Sequence, residues 1–322
     1  MTTPLEPLYT FKEQTSFSPN IEFEASLPTK EKTVVVGMGG SATGALLLMT
    51  MFPSLPLTLH NSYGLPEDID ISNTLVILNS YSGETEEVLD AFDRCTREGV
   101  AMAVVSKGGT LREEAVDRNI PHITLPDTNL EPRFALVHQM IAILTLMGEH
   151  SKVQELENAV STLNSTACET KGKILADLYN KKYIVLYTTK ALYAVAQGIK
   201  ASLTEGPKVP AFVSIIPEAN HNELHGFVRD GEHDEHEHFG FLLLSSTYDH
   251  QRIQKRYTVM EELYKEKSFR VATITTDHTN PKQILETLLT GYFMATYSAL
   301  NNQVEPYKTP FIQLFKKKMI DP

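Results

Sequence analysis

Two turns rich in glycine and serine, each following directly on a β-branched apolar run, constrain this chain more than any other feature. The first reads Val34-Val35-Val36-Gly37-Met38-Gly39-Gly40-Ser41-Ala42-Thr43-Gly44. The second reads Val76-Ile77-Leu78-Asn79-Ser80-Tyr81-Ser82-Gly83-Glu84-Thr85-Glu86-Glu87. A strand that breaks into glycines and then into a helix start turns backbone N–H groups toward one spot. The helix dipole adds partial positive charge there, so the spot suits an anion. Two such turns in one parallel sheet gather Gly40, Ser41, Ser80, Ser82 and Thr85 around those amides. Hydroxyls and amides without a lysine fit a phosphate monoester. The expected ligand is a phosphorylated small molecule.

The rest of the first half supports such a sheet. Short runs rich in Val, Ile and Leu at 33–37, 57–60, 74–79, 101–106 and 122–125 alternate with helix-periodic segments at 43–51, 84–98 and 110–118. Acidic residues at Glu84 and Glu86 sit where the macrodipole of a starting helix prefers them. This alternation predicts a doubly wound α/β fold with ligands near the carboxyl ends of its strands. Pro132 and an apolar helix over 134–147 close the unit; His138 and Gln139 inside it mark a buried helix, not a membrane span. A polar helix near 151–163 leads to a second series, with strands at 183–187, 211–215, 239–245 and 270–275 and helices at 192–203, 250–265 and 281–301. Two related α/β domains are expected, 1–150 with the phosphate turns and 151–322 without them.

Composition narrows the partners. At 322 residues and 42% hydrophobic content the chain can fill two cores of ordinary size. A formal net charge of -11 argues against a nucleic-acid or membrane-surface partner, and an anionic substrate must be held by local donors against that field. The two cysteines, Cys95 and Cys168, give no disulfide framework and point to a reducing cytoplasm. The N-terminus shows neither the basic nor the apolar region of a signal peptide.

Other motifs have competing readings. Gly37-Met38-Gly39-Gly40-Ser41-Ala42 also fits the dinucleotide pattern G-x-G-x-x-A, but the next strand ends in Leu59-His60-Asn61-Ser62, without the carboxylate that holds a ribose. A purely structural role, reversing the chain, explains one such turn better than two. Glu205 after a helix, followed by Pro217-Glu218-Ala219-Asn220-His221-Asn222-Glu223, offers an acid/base pair, although Glu and His in loops are commonly just solvated. Arg133 either pairs with a carboxylate or places its guanidinium on a developing oxyanion. The acidic, histidine-bearing loop 230–238 resembles a metal site by composition, but all its ligand types lie in one stretch. It reads as a solvated loop.

Taken together, these residues resemble the bifunctional phosphoglucose/phosphomannose isomerases, built from two sugar isomerase (SIS) domains, from about residue 33 to the C-terminus. Gly37-Met38-Gly39-Gly40-Ser41 and Ser80-Tyr81-Ser82-Gly83-x-Thr85 are similar to the family's phosphate turns, and Pro132-Arg133 to its arginine motif. Glu205-x-x-Lys208-x-Pro210 resembles the glutamate segment, and Pro217-Glu218-x-Asn220-His221-Asn222-Glu223 the histidine loop. Pro306, Thr309-Pro310 and Lys316 are similar to its C-terminal elements. The chain departs from the family in several places, two extra residues before Thr309 among them. It has Glu84 where asparagine is common, Gly206-Pro207 after the glutamate, Gly198 where an arginine is expected, and Val304-Glu305-Pro306 in place of Val-Asp-Pro.

The resemblance implies reversible isomerisation of glucose 6-phosphate and fructose 6-phosphate through a cis-enediol, with mannose 6-phosphate as a third substrate, within glycolysis and gluconeogenesis. It implies Glu205 as the C1–C2 base, His221 with Lys316 in ring opening, Arg133 on the enediolate, and Thr309 beside them. No metal or organic cofactor is implied. The implied assembly is a homodimer in which His221 completes the neighbour's site. A non-catalytic sugar-phosphate-binding SIS regulator is the alternative, and a nicotinamide-dependent oxidoreductase a third reading.

Overall fold

β-branched side chains lose little by extending, and the valine- and isoleucine-rich runs accordingly form the strands of two sheets. The computed structural model describes residues 3–128, 130–228 and 235–320. It divides into two compact units. The first comprises 9–163 with 279–285; the second comprises the described parts of 1–8, 164–278 and 286–322.

A short α1 (Glu6–Tyr9) and a 3-10 segment (Thr10–Ser16) precede β1 (Ile21–Glu22). The first unit continues with β2 (Lys32–Val36), α2 (Gly39–Met51), β3 (Leu57–His60), β4 (Thr74–Asn79) and α3 (Glu86–Glu98). It then adds β5 (Met102–Ser106), α4 (Gly109–Asp117), β6 (His122–Thr124), α5 (Leu136–Leu146) and α6 (His150–Ser161). The sheet order is β1-β6-β5-β4-β2-β3. β2 to β6 pair in parallel, while β1 lies antiparallel on β6 and covers that edge. From β2 the chain steps to β3 on one side and later to β4 on the other. The strand order therefore reverses between β2 and β4, and the crevice at their carboxyl ends is the place where doubly wound sheets take ligands.

Strand alternation divides the core between the two faces. Val34, Val36, Val76, Leu78 and Val104 meet Val88, Phe92 and Cys95 of α3 and Leu111 and Ala115 of α4. The run at 134–147 becomes α5, buried along its first nine residues, as a helix apolar on all sides must be. It begins at Leu136 because 131–134 form a turn closed by the Phe134 amide donating to the Glu131 carbonyl at 2.8 Å.

In the second unit α7 (Ser165–Leu178) leads into β7 (Tyr183–Thr188), α8 (Tyr193–Glu205) and β8 (Ala211–Ile215). A 3-10 turn (Glu218–His221) and α9 (Glu223–Gly226) follow, then β9 (Phe239–Ser246), α10 (Gln251–Glu266), β10 (Arg270–Thr276), α11 (Pro281–Asn301) and α12 (Pro310–Ile320). Its parallel sheet runs β10-β9-β7-β8 and reverses at β7 just as the first reverses at β2. An aromatic core fixes α10 on this sheet, with Phe241 and Tyr264 stacked at 3.8 Å between ring centroids. α7 is the longest helix that the sequence reading did not place. The Asn164 side chain caps it by accepting from the Ala167 amide at 3.1 Å. Gly172 inside it looks like a breaker, but a Cβ there would lie 2.5 Å from the Phe293 Cβ, so the glycine is a packing site. Among the described residues no helix is long and apolar enough to cross a membrane.

Candidate active site

The reversal point of the first sheet gathers the phosphate-turn residues. β2 and β4 are buried neighbours, and each passes within a few residues into a thirteen-residue helix, α2 or α3. Neither helix start is capped by its own side chains: the residues before them, Met38 and Thr85, make no side-chain cap hydrogen bond. Thr85 turns its hydroxyl aside to pair with the Ser80 hydroxyl at 2.8 Å. Two helix starts thus keep donors directed at one crevice, the arrangement that binds anions.

The turns are cross-braced. Ser41 Oγ accepts from the Tyr81 amide at 3.3 Å, and the Asn79 side-chain amide donates to the Ser41 carbonyl at 3.1 Å. Ser80 Oγ accepts from the Gly83 amide at 3.1 Å, and Ser82 Oγ from the Glu84 amide at 3.2 Å. Ser41 and Ser80 are buried, whereas Ser82 is exposed at the rim. Gly40 has no side chain because none fits: a Cβ would sit 2.8 Å from the Pro132 carbonyl and 2.9 Å from the Arg133 amide. That contact brings the arginine segment against the first turn. The Arg133 guanidinium carbon lies 4.9 Å from the centre of the Phe134 ring, in a side chain only 6% exposed.

Sequence reading missed the residue that orients this segment. Gln14, 2% exposed, donates to the Phe134 carbonyl at 2.7 Å and accepts from the Val137 amide at 3.1 Å. It holds the turn between Arg133 and α5 from a distance of about 120 positions along the chain, beyond any local pattern. Asn79, fully buried beneath Ser41, was visible as a polar residue ending an apolar strand.

The second unit holds the remaining candidates. Glu205 is the last residue of α8 and half-buried. Lys208, in a left-handed conformation at φ 60°, donates to the carbonyls of Glu205 at 2.6 Å, Gly206 at 2.8 Å and Glu305 at 2.9 Å. Its ammonium therefore ties the glutamate segment to the chain leaving α11. Thr309 directly precedes α12, and the exposed Lys316 lies within that helix. His221 is exposed at the end of its 3-10 turn. Its neighbour Asn220 is fixed by Arg256 Nη1 at 3.2 Å.

Glu205 and His221 flank β8 along the chain. In a doubly wound sheet α8 runs back from the carboxyl end of β7 to the amino end of β8, so Glu205 lies at the amino end. His221 follows the carboxyl end of β8. Of the loop 230–238, positions 230–234, including His233, lie outside the described residues. Beyond them Lys182 Nζ donates to the His236 and Glu237 carbonyls at 3.3 and 2.5 Å. Among the described residues no cluster of three His, Cys, Asp or Glu side chains is arranged to hold a metal ion.

Comparison with known proteins decides the family. The bifunctional phosphoglucose/phosphomannose isomerase of Thermoplasma acidophilum is 30% identical over 265 residues, which cover 80% of this chain and 79% of that protein. The chain belongs to the bifunctional phosphoglucose/phosphomannose isomerase family. The model of the bacterial phospho-glucose isomerase C-terminal SIS domain matches residues 169–319. The Caldicellulosiruptor bescii isomerase of the same name is 28% identical over 322 residues, covering 94% of this chain and 93% of that one. Among solved structures, a hypothetical protein from Thermus thermophilus superposes with a TM-score of 0.70 at 17% identity, over 99% of this chain and 89% of that one, and shares the fold.

Proposed function

We propose that this protein interconverts glucose 6-phosphate and fructose 6-phosphate, with mannose 6-phosphate as a further substrate. The observation that carries the reading is the pair of uncapped helix starts at the reversal point, lined by Ser41, Ser80 and Thr85, in a chain of this isomerase family. Gly40, Ser41, Ser80, Ser82 and Thr85 take the phosphate. Anchoring one end of the sugar restricts its reacting carbons and removes much of the entropic barrier.

The chemistry then needs only proton movement. His221, aided by Lys316, opens the ring by moving a proton between the ring oxygen and the anomeric hydroxyl, with Thr309 beside them. The Glu205 carboxylate removes the C2 hydrogen of the open-chain aldose and returns it to C1, while a proton passes from O2 to O1. No atom is gained or lost. Arg133, its guanidinium largely withdrawn from water, stabilises the enediolate charge, as a preorganised donor in a low-dielectric site does. Neither a metal nor an organic cofactor takes part.

The working form is a homodimer in which His221 of one copy serves Glu205 of the other. The exposure of His221 supports this. Two domains, 1–150 and 151–322, divide phosphate binding from proton transfer. The buried free thiols of Cys95 and Cys168 support a cytoplasmic protein of glycolysis and gluconeogenesis, without nucleic-acid or membrane partners.

The test is conversion of glucose 6-phosphate after exhaustive EDTA treatment, without added nucleotide. Formation of fructose 6-phosphate is the expected outcome. Tight binding without turnover would select the SIS regulator instead.

A further inference from the structure

The second phosphate turn does not hold its shape alone. Its outer side presses on the turn between β5 and α4, where two glycines, Gly108 and Gly109, start the helix. The Gly83 carbonyl accepts from the Leu111 amide at 3.0 Å, and the Tyr81 carbonyl from the Lys107 amide at 3.1 Å. The fit admits no side chain. A Cβ on Gly83 would lie 1.8 Å from the Gly108 carbonyl, and one on Gly109 would lie 2.5 Å from both the Ser82 carbonyl and Glu84 Oε1.

Glu84 closes this contact. The residue before α4 is glycine and supplies no side-chain cap. Glu84 reaches over from the phosphate turn instead. Its Oε1 accepts from the Thr110 amide at 2.7 Å and the Thr110 hydroxyl at 3.2 Å, while Oε2 accepts from that hydroxyl at 3.1 Å. A carboxylate at a helix start is favoured by hydrogen bonding and by the macrodipole. Here the capping residue comes from another loop, so the cap also fixes that loop. The Glu84 amide, in turn, donates to Ser82 Oγ at 3.2 Å, and Gly83 and Thr85 on either side contact Ser80.

We propose that Glu84 is a positioning residue: by capping α4 from outside it locks the Ser80–Thr85 turn in its phosphate-binding shape and so sets affinity for the phosphate group. The proposal rests on the reading that this turn takes the phosphate. It gives a physical role to a side chain that departs from the family's common asparagine. It also explains how a carboxylate is tolerated beside an anion pocket, because the start of α4 absorbs its charge.

The test compares Glu84→Ala, Glu84→Gln and Thr110→Pro, measuring KM and kcat for fructose 6-phosphate and Kd for inorganic phosphate by calorimetry. Loss of one cap corresponds to about a tenfold effect. Glu84→Ala is expected to raise KM and the phosphate Kd by about that factor, with kcat within about twofold. Glu84→Gln, which keeps an acceptor oxygen, should restore both to within about threefold of the parent. Thr110→Pro removes the same amide from the far side, at a helix position that tolerates proline, and should reproduce the Glu84→Ala effect without touching the turn. Unchanged phosphate affinity in Glu84→Ala and Thr110→Pro overturns the proposal, as does a fall in kcat alone or a Gln variant as weak as Ala. If one variant fails to fold, the other decides. Glu84-dependent phosphate binding in a protein that turns over no phosphohexose would refute the isomerase reading and leave the clamp standing.

Discussion

At the residue scale the proposed chemistry concentrates in Glu205, and a one-atom change isolates it. Glu205→Gln keeps size and hydrogen bonding but cannot accept the C2 proton. Turnover should fall at least about a hundredfold, KM should change little, and exchange of the C2 hydrogen with solvent deuterium should be lost. Retained exchange at the parent rate would refute the enediol route. On the proposed reading Ser80 and Ser82 serve binding. Each hydroxyl donated to a phosphate dianion is worth about 1.5–3 kcal/mol, so Ser80→Ala/Ser82→Ala should raise KM by well over tenfold with the fold retained. A parental KM in that variant would remove the phosphate assignment from this turn. The two serine turns were legible in the sequence as turns because the signal is local: glycines and hydroxyls between a strand and a helix. Gln14 and the Glu84 clamp were not. Their partners, Phe134 and Thr110, lie 120 and 26 positions away, and only the folded chain brings them together.

At the scale of elements, hydrophobic periodicity located all ten strands but β1, a two-residue edge piece held by its pairing to β6 and not by its own composition. It missed α7, whose apolar stripe is interrupted by a glycine that packing demands. α5 offers a different lesson. A helix apolar on nearly every side has little periodicity to orient it, and it buries His138 along with its leucines. The His138 ring stands edge-on to Phe17 at 5.4 Å, its Nδ1 buried without a partner, and desolvation lowers its pKa from 6.5 to about 4. The unfolded chain takes up this proton near pH 6.5 and the folded chain only near 4. Between those values the unfolded state binds more protons, so acidification through that window destabilises the fold. The melting temperature should drop from pH 6.5 to 4, and less steeply in His138→Leu. Equal slopes in the two proteins would rule out His138 as the source.

For the whole molecule, two sheets with the same reversal of strand order carry unequal equipment. The first holds the serine turns. The second carries the glutamate, the histidine loop and the C-terminal helix. The doubling was legible from the repeated rhythm of strands and helices, but the placement of Glu205 relative to His221 was not, because a sequence gives spacing without direction. That placement has a test by complementation. Glu205→Gln and His221→Ala chains are each inactive as homodimers under the proposed scheme. Refolded together in equal amounts, half of the dimers are mixed, and each mixed dimer has one intact site, so about a quarter of parental activity should return. No recovery would place both groups in one chain.

The proposed sharing of a site between copies would also tie catalysis to abundance. Under the proposed scheme a single chain lacks half of its proton-transfer set, so specific activity would read out how many copies share a volume. Serial dilution should leave a plateau, followed by a decline as copies part, whereas a self-sufficient chain would hold the same specific activity throughout. Expression level then acts twice, once through the number of molecules and again through the fraction that is competent.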